Sequence, residues 1–195
     1  MKNWIHGLPV PNDKTIFENV LKLVSSTNAP LILEVGTYVG VSLINILERV
    51  PNSIGYAVDN WSLDQKECYR GDIDLKSTFF SNIKKAGMEN RVFMYEGDSL
   101  NTLTTFLSNS LKFDFIYVDG SHKCLETYSD LVLSWGCLKK NGILAIDDYL
   151  WNLHDPRVDD FEKPVRAIDY FLNKIKGKYE PIDIGYRVFI KKICN

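Results

Sequence analysis

Apolar and polar positions alternate in blocks along the chain. Five short runs are nearly continuous in apolar residues, at 31–35, 54–58, 91–95, 113–118 and 143–146. Runs of this length and composition read as strands covered on both faces. Between them, apolar residues recur at helical spacing. Segment 41–50 places Leu43, Ile44, Leu47 and Val50 on one stripe. Segment 74–86 carries Phe79, Phe80 and Ile83 and stops at Gly87, a C-cap signal. Segments 100–107 and 125–138 follow the same pattern. Ahead of the first strand, 15–24 aligns Ile16, Val20, Leu23 and Val24, with Asn12 or Asp13 available as the cap.

Strands that alternate with helices imply parallel βαβ units with right-handed crossovers. The tail breaks the pattern. After a helix near 165–175, the runs 179–184 and 186–190 are separated by Gly185 alone. No crossover helix fits there, so the two runs predict an antiparallel hairpin at the sheet edge. The expected fold is α/β: a Rossmann-like, doubly wound, mostly parallel seven-stranded sheet with a C-terminal antiparallel hairpin. A length of 195 residues favours a single domain. Within it, residues 1–28 form an N-terminal helical segment and 29–195 the core.

Ligands of such sheets bind beyond the C-terminal strand ends, at the point where the strand order reverses. The first strand runs into Glu34-Val35-Gly36-Thr37-Tyr38-Val39-Gly40. The spacing is GxxxG, not the GxGxxG of a dinucleotide site, and Glu34 presents an anion where a pyrophosphate would be repelled. A carboxylate there suits a ligand that carries an ammonium and a sulfonium. The second strand ends at Asp59, an acceptor for ribose hydroxyls. Asn60 and Trp61 follow, and the indole either covers an adenine face or packs in the core. The third ends in Gly97-Asp98-Ser99, where Asp98 either caps the next helix or accepts from an adenine amino group.

Composition narrows the function classes. The net charge of −2 and the absence of a basic run disfavour nucleic acid. No apolar run approaches a membrane span, and the first residues hold no signal-peptide core. Cys68, Cys124, Cys137 and Cys194 form no CxxC pair and read as free thiols of a reducing compartment, so a cytoplasmic protein is expected.

Six motifs in order resemble the class I S-adenosylmethionine-dependent methyltransferases, in particular a small-molecule O-methyltransferase subfamily related to the macrolide-sugar methyltransferases. They are EVGTYVG (34–40), AVDNW (57–61), EGDSL (96–100), DFIYVDGSH (114–122), GILAIDDY (142–149) and GYRVFI (185–190). The resemblance covers about 31–190. It implies S-adenosylmethionine as the cofactor. Gly36, Thr37, Gly40 and Ser42 would line its methionine end, with Glu34 near the ammonium. Asp59, Asn60 and Trp61 would border the ribose and adenine, together with Gly97, Asp98 and Ser99. The chain departs from the commonest family form by carrying Tyr38 where glycine usually stands.

Asp119 ends the fourth strand, and Asp147 and Asp148 end the fifth. Neighbouring strand ends meet at one edge, so these carboxylates should converge near the donor methyl. Gathered carboxylates repel unless a cation intervenes. Hard oxygen ligands suit Mg²⁺, which would lower the pKa of an acceptor hydroxyl. The related metal-dependent O-methyltransferases carry acids at the same two strand ends. Asp119, Asp147 and Asp148 are therefore the candidate metal ligands, with Asp119, His122 and Asp147 as catalytic candidates. His122 is the general-base candidate because its ordinary pKa lies near neutrality. The same ring also suits helix capping or a bond to the cofactor. The acceptor expected is a small-molecule hydroxyl, of a sugar or a phenol. The loop 149–162, with Trp151, His154 and three aspartates, and the N-terminal stretch around Trp4 and His6 are candidate walls of its pocket. Two other readings stay open, a metal-dependent hydroxylase on the same fold and a non-catalytic binding protein. So does the oligomeric state, including a homo-oligomer.

Overall fold

The computed structural model describes residues 14–62 and 74–194. Among these residues six α-helices and seven strands follow one another, alternating up to the last two strands. They are α1 (Lys14–Ser25), β1 (Leu31–Val35), α2 (Val41–Arg49), β2 (Ile54–Asp59), α3 (Leu75–Ala86), β3 (Val92–Glu96), α4 (Ser99–Ser108), β4 (Phe113–Val118), α5 (Cys124–Cys137), β5 (Leu138–Ile146), α6 (Val165–Lys174), β6 (Tyr179–Ile184) and β7 (Val188–Lys192). The sheet order is β3-β2-β1-β4-β5-β7-β6. β1 to β5 run parallel. β7 is antiparallel to both β5 and β6, so the hairpin closes the sheet at its edge. The strand order reverses between β1 and β4, and the crevice for a ligand opens there.

Both faces of the sheet are covered, which explains the unbroken apolar runs. Ile32, Ala57, Phe115 and Ala145 pack beneath α1, α2 and α3. Leu33, Val58, Ile116 and Leu144 face α4, α5 and α6. Successive strand side chains point to opposite faces, so each strand feeds both halves of the core. Two helix ends are fixed by their punctuation. Asp74 caps α3 by accepting from Ser77 N at 2.9 Å. Gly87 ends the helix with φ +70°, a conformation that favours glycine.

Three elements differ from the expectation. β5 begins at Leu138 rather than 143, because Leu138 pairs with Phe113 across an irregularity before the ladder resumes at Ile143. The polar Lys139, Lys140 and Asn141 hide that first section. α5 accordingly stops at Cys137. β7 starts at Val188, not 186, so three residues connect the hairpin. Gly185 N donates to Arg187 O at 2.8 Å and turns the chain there. The proposed cap at Asn12 or Asp13, the pocket wall around Trp4 and His6, and Cys68 lie outside the described residues. Cys124, Cys137 and Cys194 are free thiols. Among the described residues no helix is long and apolar enough to cross a membrane.

Candidate active site

The loop from β1 to α2 is bent by three residues with positive φ: Gly36 at +84°, Tyr38 at +51° and Gly40 at +82°. Gly36 has no room for a side chain, since a Cβ would overlap the carbonyl of Asp119. The first loop therefore lies directly against the end of β4. Tyr38 explains why glycine is common at its position: a left-handed residue with a side chain costs about 1–2 kcal/mol. Two bonds hold it there. Its N–H donates to Asp59 Oδ2 at 2.6 Å, and its carbonyl accepts from Trp61 Nε1 at 2.7 Å.

Glu34 lies beneath this loop with no exposed surface. Neither carboxylate oxygen has a hydrogen-bond partner of normal geometry. Burial pushes its pKa up to about 8; the adjacent Ser42 hydroxyl and Leu43 amide oppose this, and the charges of Asp59 and Asp147 add to it. Thr37, also buried, keeps its hydroxyl 3.5 Å from the carbonyls of Glu34 and Val58. A buried acid without a well-formed hydrogen bond, beneath a glycine-bent loop, fits a cationic group such as the ammonium of a bound amino acid.

The β2 and β3 ends border the same crevice. Asp59 ends β2 and accepts from Trp61 N at 2.7 Å as well as from Tyr38. Each carboxylate oxygen thus holds one backbone amide, and a second lone pair on each remains for a ligand hydroxyl. Trp61 packs in the core: it is 9% exposed and its ring lies 5.1 Å from that of Phe79. Asn60 is exposed and accepts from Ser62 N. Gly97 N donates to Asp59 O at 2.9 Å, which ties the β3 end to the β2 end. Asp98 is exposed and caps α4 through Asn101 N. Ser99 donates to Asp130 Oδ1 at 2.6 Å; burial pushes that carboxyl up to about 6 against the bond from Ser99.

At the β4 and β5 ends the three expected acids converge, together with His122, around a small cleft lined by Asp119, Gly120, His122, Asp147, Asp148 and Pro164. Burial and the negative charges of Asp147, Asp148 and Glu34 hold the Asp119 carboxyl well above the usual range, with Arg187 opposing. Asp148 has φ +56° and bonds to two side chains, with His122 Nε2 at 2.6 Å and Tyr186 Oη at 2.7 Å. Burial alone would raise its pKa, but those two bonds and the Arg187 charge outweigh it and the pKa is lowered. Trp151 stacks on the His122 ring with centroids 4.4 Å apart. An imidazole bonded to a carboxylate at one nitrogen and stacked on one face has its orientation fixed, the arrangement that suits a general base.

Asp147 is engaged differently. Its Oδ1 lies 2.9 Å from Arg187 Nε and 2.8 Å from Asp148 N. Its Oδ2 accepts from the Tyr117 hydroxyl. The expected magnesium ligands were Asp119, Asp147 and Asp148. As arranged, the last two have every carboxylate oxygen bonded to a protein donor, and among the described residues no three His, Cys, Asp or Glu side chains form a group that could hold a metal ion. The donor set does not fit Mg²⁺. The aspartates of the 149–162 loop are likewise engaged locally: Asp155 pairs with Arg157, Asp160 with Arg166, and Asp159 caps a short 3-10 turn. His154 is exposed.

Sequence reasoning missed Arg187, Tyr117, Tyr186 and the Trp151 stack. Arg187 and Tyr186 stood inside a run read as strand, and Tyr117 reads as one more apolar strand residue. The usable signal was a single arginine within the otherwise apolar run 186–190, which asks for a buried acid.

These features define a methyltransferase-type fold with its ligand crevice at the switch point. The profile of the family described as a methyltransferase domain matches residues 33–149, and the chain belongs to that family. Among curated proteins it is similar to a caffeoyl-CoA O-methyltransferase of Populus kitakamiensis, 28% identical over 84% of this chain and 66% of that protein. It also resembles a flavonoid 3',5'-methyltransferase of Vitis vinifera, 25% identical over 91% of this chain and 73% of that protein. The chain spans about two thirds of the length of these relatives. Among solved structures, the O-methyltransferase TomG from Streptomyces achromogenes, in complex with S-adenosylmethionine, superimposes with a TM-score of 0.69 at 17% identity, over 96% of this chain and 82% of that one.

Proposed function

We propose that this chain is an S-adenosylmethionine-dependent O-methyltransferase acting on a small-molecule hydroxyl, a phenol or a sugar. The observation that carries the reading is the convergence of two features at one sheet edge: the buried Glu34 beneath the glycine-bent loop, without a well-formed hydrogen bond, and the oriented His122–Asp148 pair beside it. Family membership and the names of the relatives support it.

In this reading Glu34 receives the ammonium of the methionine moiety, and Gly36 and Gly40 let the backbone approach it. Asp59 accepts from the ribose hydroxyls while holding the loop through Tyr38. Asp98 and Ser99 border the adenine. Bound there, S-adenosylmethionine supplies a methyl group on a positively charged sulfur. His122, oriented by Asp148, takes the proton of the acceptor hydroxyl. The oxygen lone pair then forms the new C–O bond while the electron pair of the S–C bond passes to sulfur, leaving S-adenosylhomocysteine. Positioning supplies most of the acceleration in such an in-line displacement. The free thiols suit a reducing, cytoplasmic setting.

The test is S-adenosylhomocysteine formation by the full chain with a panel of catechols, phenols and sugars. The expected result is turnover with at least one acceptor, reduced about 10²–10⁴-fold in His122→Ala with cofactor affinity retained. Full activity in His122→Ala would remove the base assignment. No product with any acceptor would remove the reading.

A further inference from the structure

We propose that the buried Arg187 guanidinium occupies the electrostatic position of a divalent cation between the β4 and β5 ends, so that this chain holds its acids together and transfers methyl groups without bound Mg²⁺. The transfer half rests on the function proposed above; the charge-replacement half does not.

The hairpin register delivers the arginine. Val188 pairs with Ile146 in the β5–β7 ladder, so the residue before Val188 lies beside the residue after Ile146. That juxtaposition sets Arg187 against Asp147, and the side chain is only 3% exposed. Its Nε is 2.9 Å from Asp147 Oδ1 and 3.2 Å from Tyr117 Oη. The charge reaches further than its direct partner: it also favours the ionised forms of Asp119 and Asp148. Three acids, Asp119, Asp147 and Asp148, thus share one guanidinium at the β4 and β5 ends.

A magnesium ion needs lone pairs aimed at a single centre with near-octahedral geometry at about 2.0–2.1 Å. Asp147 Oδ1 is filled by Arg187 and the Asp148 amide and Oδ2 takes the Tyr117 hydroxyl, while His122 and Tyr186 each hold one oxygen of Asp148, so these carboxylates are oriented by separate partners and not toward a common centre. A divalent cation brought to Asp119 would also meet the fixed positive charge of Arg187. The site's positive charge is thus supplied from within, by a group delivered by the fold. The chemical consequence is specific. A metal would lower the pKa of the acceptor hydroxyl directly; here the hydroxyl keeps its ordinary acidity and His122 accepts its proton. Arg187 is a positioning residue: from its buried place it fixes Asp147 and Tyr117.

The decisive experiment uses Mn²⁺ as the probe, titrated into the full wild-type chain and followed by the electron paramagnetic resonance signal of free Mn²⁺, with and without S-adenosylhomocysteine. The expected result is no saturable site in the wild type and in Arg187→Lys. Arg187→Met removes the charge and should show Mn²⁺ binding at least about tenfold tighter than the weakest affinity the titration can detect. Stoichiometric binding by the wild type would overturn the proposal, and so would equal Mn²⁺ binding by wild type and a folded Arg187→Met. If circular dichroism shows that Arg187→Met does not fold, the wild-type titration decides between a saturable metal site and none. Turnover should also survive a chelator within about twofold, less than the tenfold that 1.4 kcal/mol represents; loss with chelator and recovery with Mg²⁺ would contradict the proposal. A chain without methyl-transfer activity would fail the function proposed above, while the Mn²⁺ titration still tests the charge replacement.

Discussion

Glu34→Gln tests the electrostatics of the loop most cleanly. The substitution preserves size and removes the titration. In the folded chain burial moves the Glu34 carboxyl from an ordinary 4.5 to about 8. The group is entirely buried, so the displacement converts to a free energy of about 5 kcal/mol at 1.36 kcal/mol per pKa unit. The sign follows from proton counting. Between about pH 4.5 and 8 the folded state keeps a proton that the unfolded state releases. Stability from this group is therefore complete below pH 4.5 and is lost as the pH rises through 8. Urea unfolding of both proteins at a series of pH values measures it, provided the m-values match. Stability of the glutamine variant minus that of the wild type should climb by about 1.4 kcal/mol per pH unit across the window and level off above it. Asp119, whose pKa is also raised, contributes to both proteins and largely cancels. Parallel stability curves would refute the placement of a neutral, buried Glu34. The same reasoning predicts that a cationic ligand seated against Glu34 expels a proton near neutral pH, and that the glutamine variant binds without that release.

Two further substitutions probe the loop. Gly36→Ala should cost about 3 kcal/mol or more in thermal or urea unfolding, since it adds a positive-φ penalty to a clash with the Asp119 backbone; a loss within experimental error would mean the loop does not approach β4. Asp59→Ala strips the acceptor from two amides and from the proposed ribose contact, so cofactor affinity should fall by about 1–3 kcal/mol, measured by calorimetry; unchanged affinity would move the ribose elsewhere.

The fold was legible because the strands are covered on both faces, which leaves apolar runs such as 31–35 and 113–118 that nothing else in the chain imitates. The start of β5 was not, because Lys139, Lys140 and Asn141 lie outside the two-faced part of the sheet, where polar residues carry no strand signal. The convergence of Asp119, Asp147 and Asp148 followed from topology alone, since parallel neighbours end together. Their partners did not. Arg187 stands 40 positions beyond Asp147 and meets it only through the register of an antiparallel hairpin, which one residue of slippage would reverse. Tyr117 offered no polar signal within an apolar strand, and its hydroxyl matters only because Asp147 lies on the adjacent strand. Trp61 had two readings in the sequence, and in the structure its ring packs against that of Phe79, a contact between distant residues that the sequence does not display.

The central claim is that the crevice above β1, β2 and β4 holds S-adenosylmethionine. Isothermal titration of the full chain with S-adenosylmethionine and S-adenosylhomocysteine tests it most directly. Saturable one-to-one binding of both is expected, weakened by Asp59→Ala and accompanied by proton release that disappears in Glu34→Gln. Absence of binding heat together with no ligand-induced rise in melting temperature would contradict it.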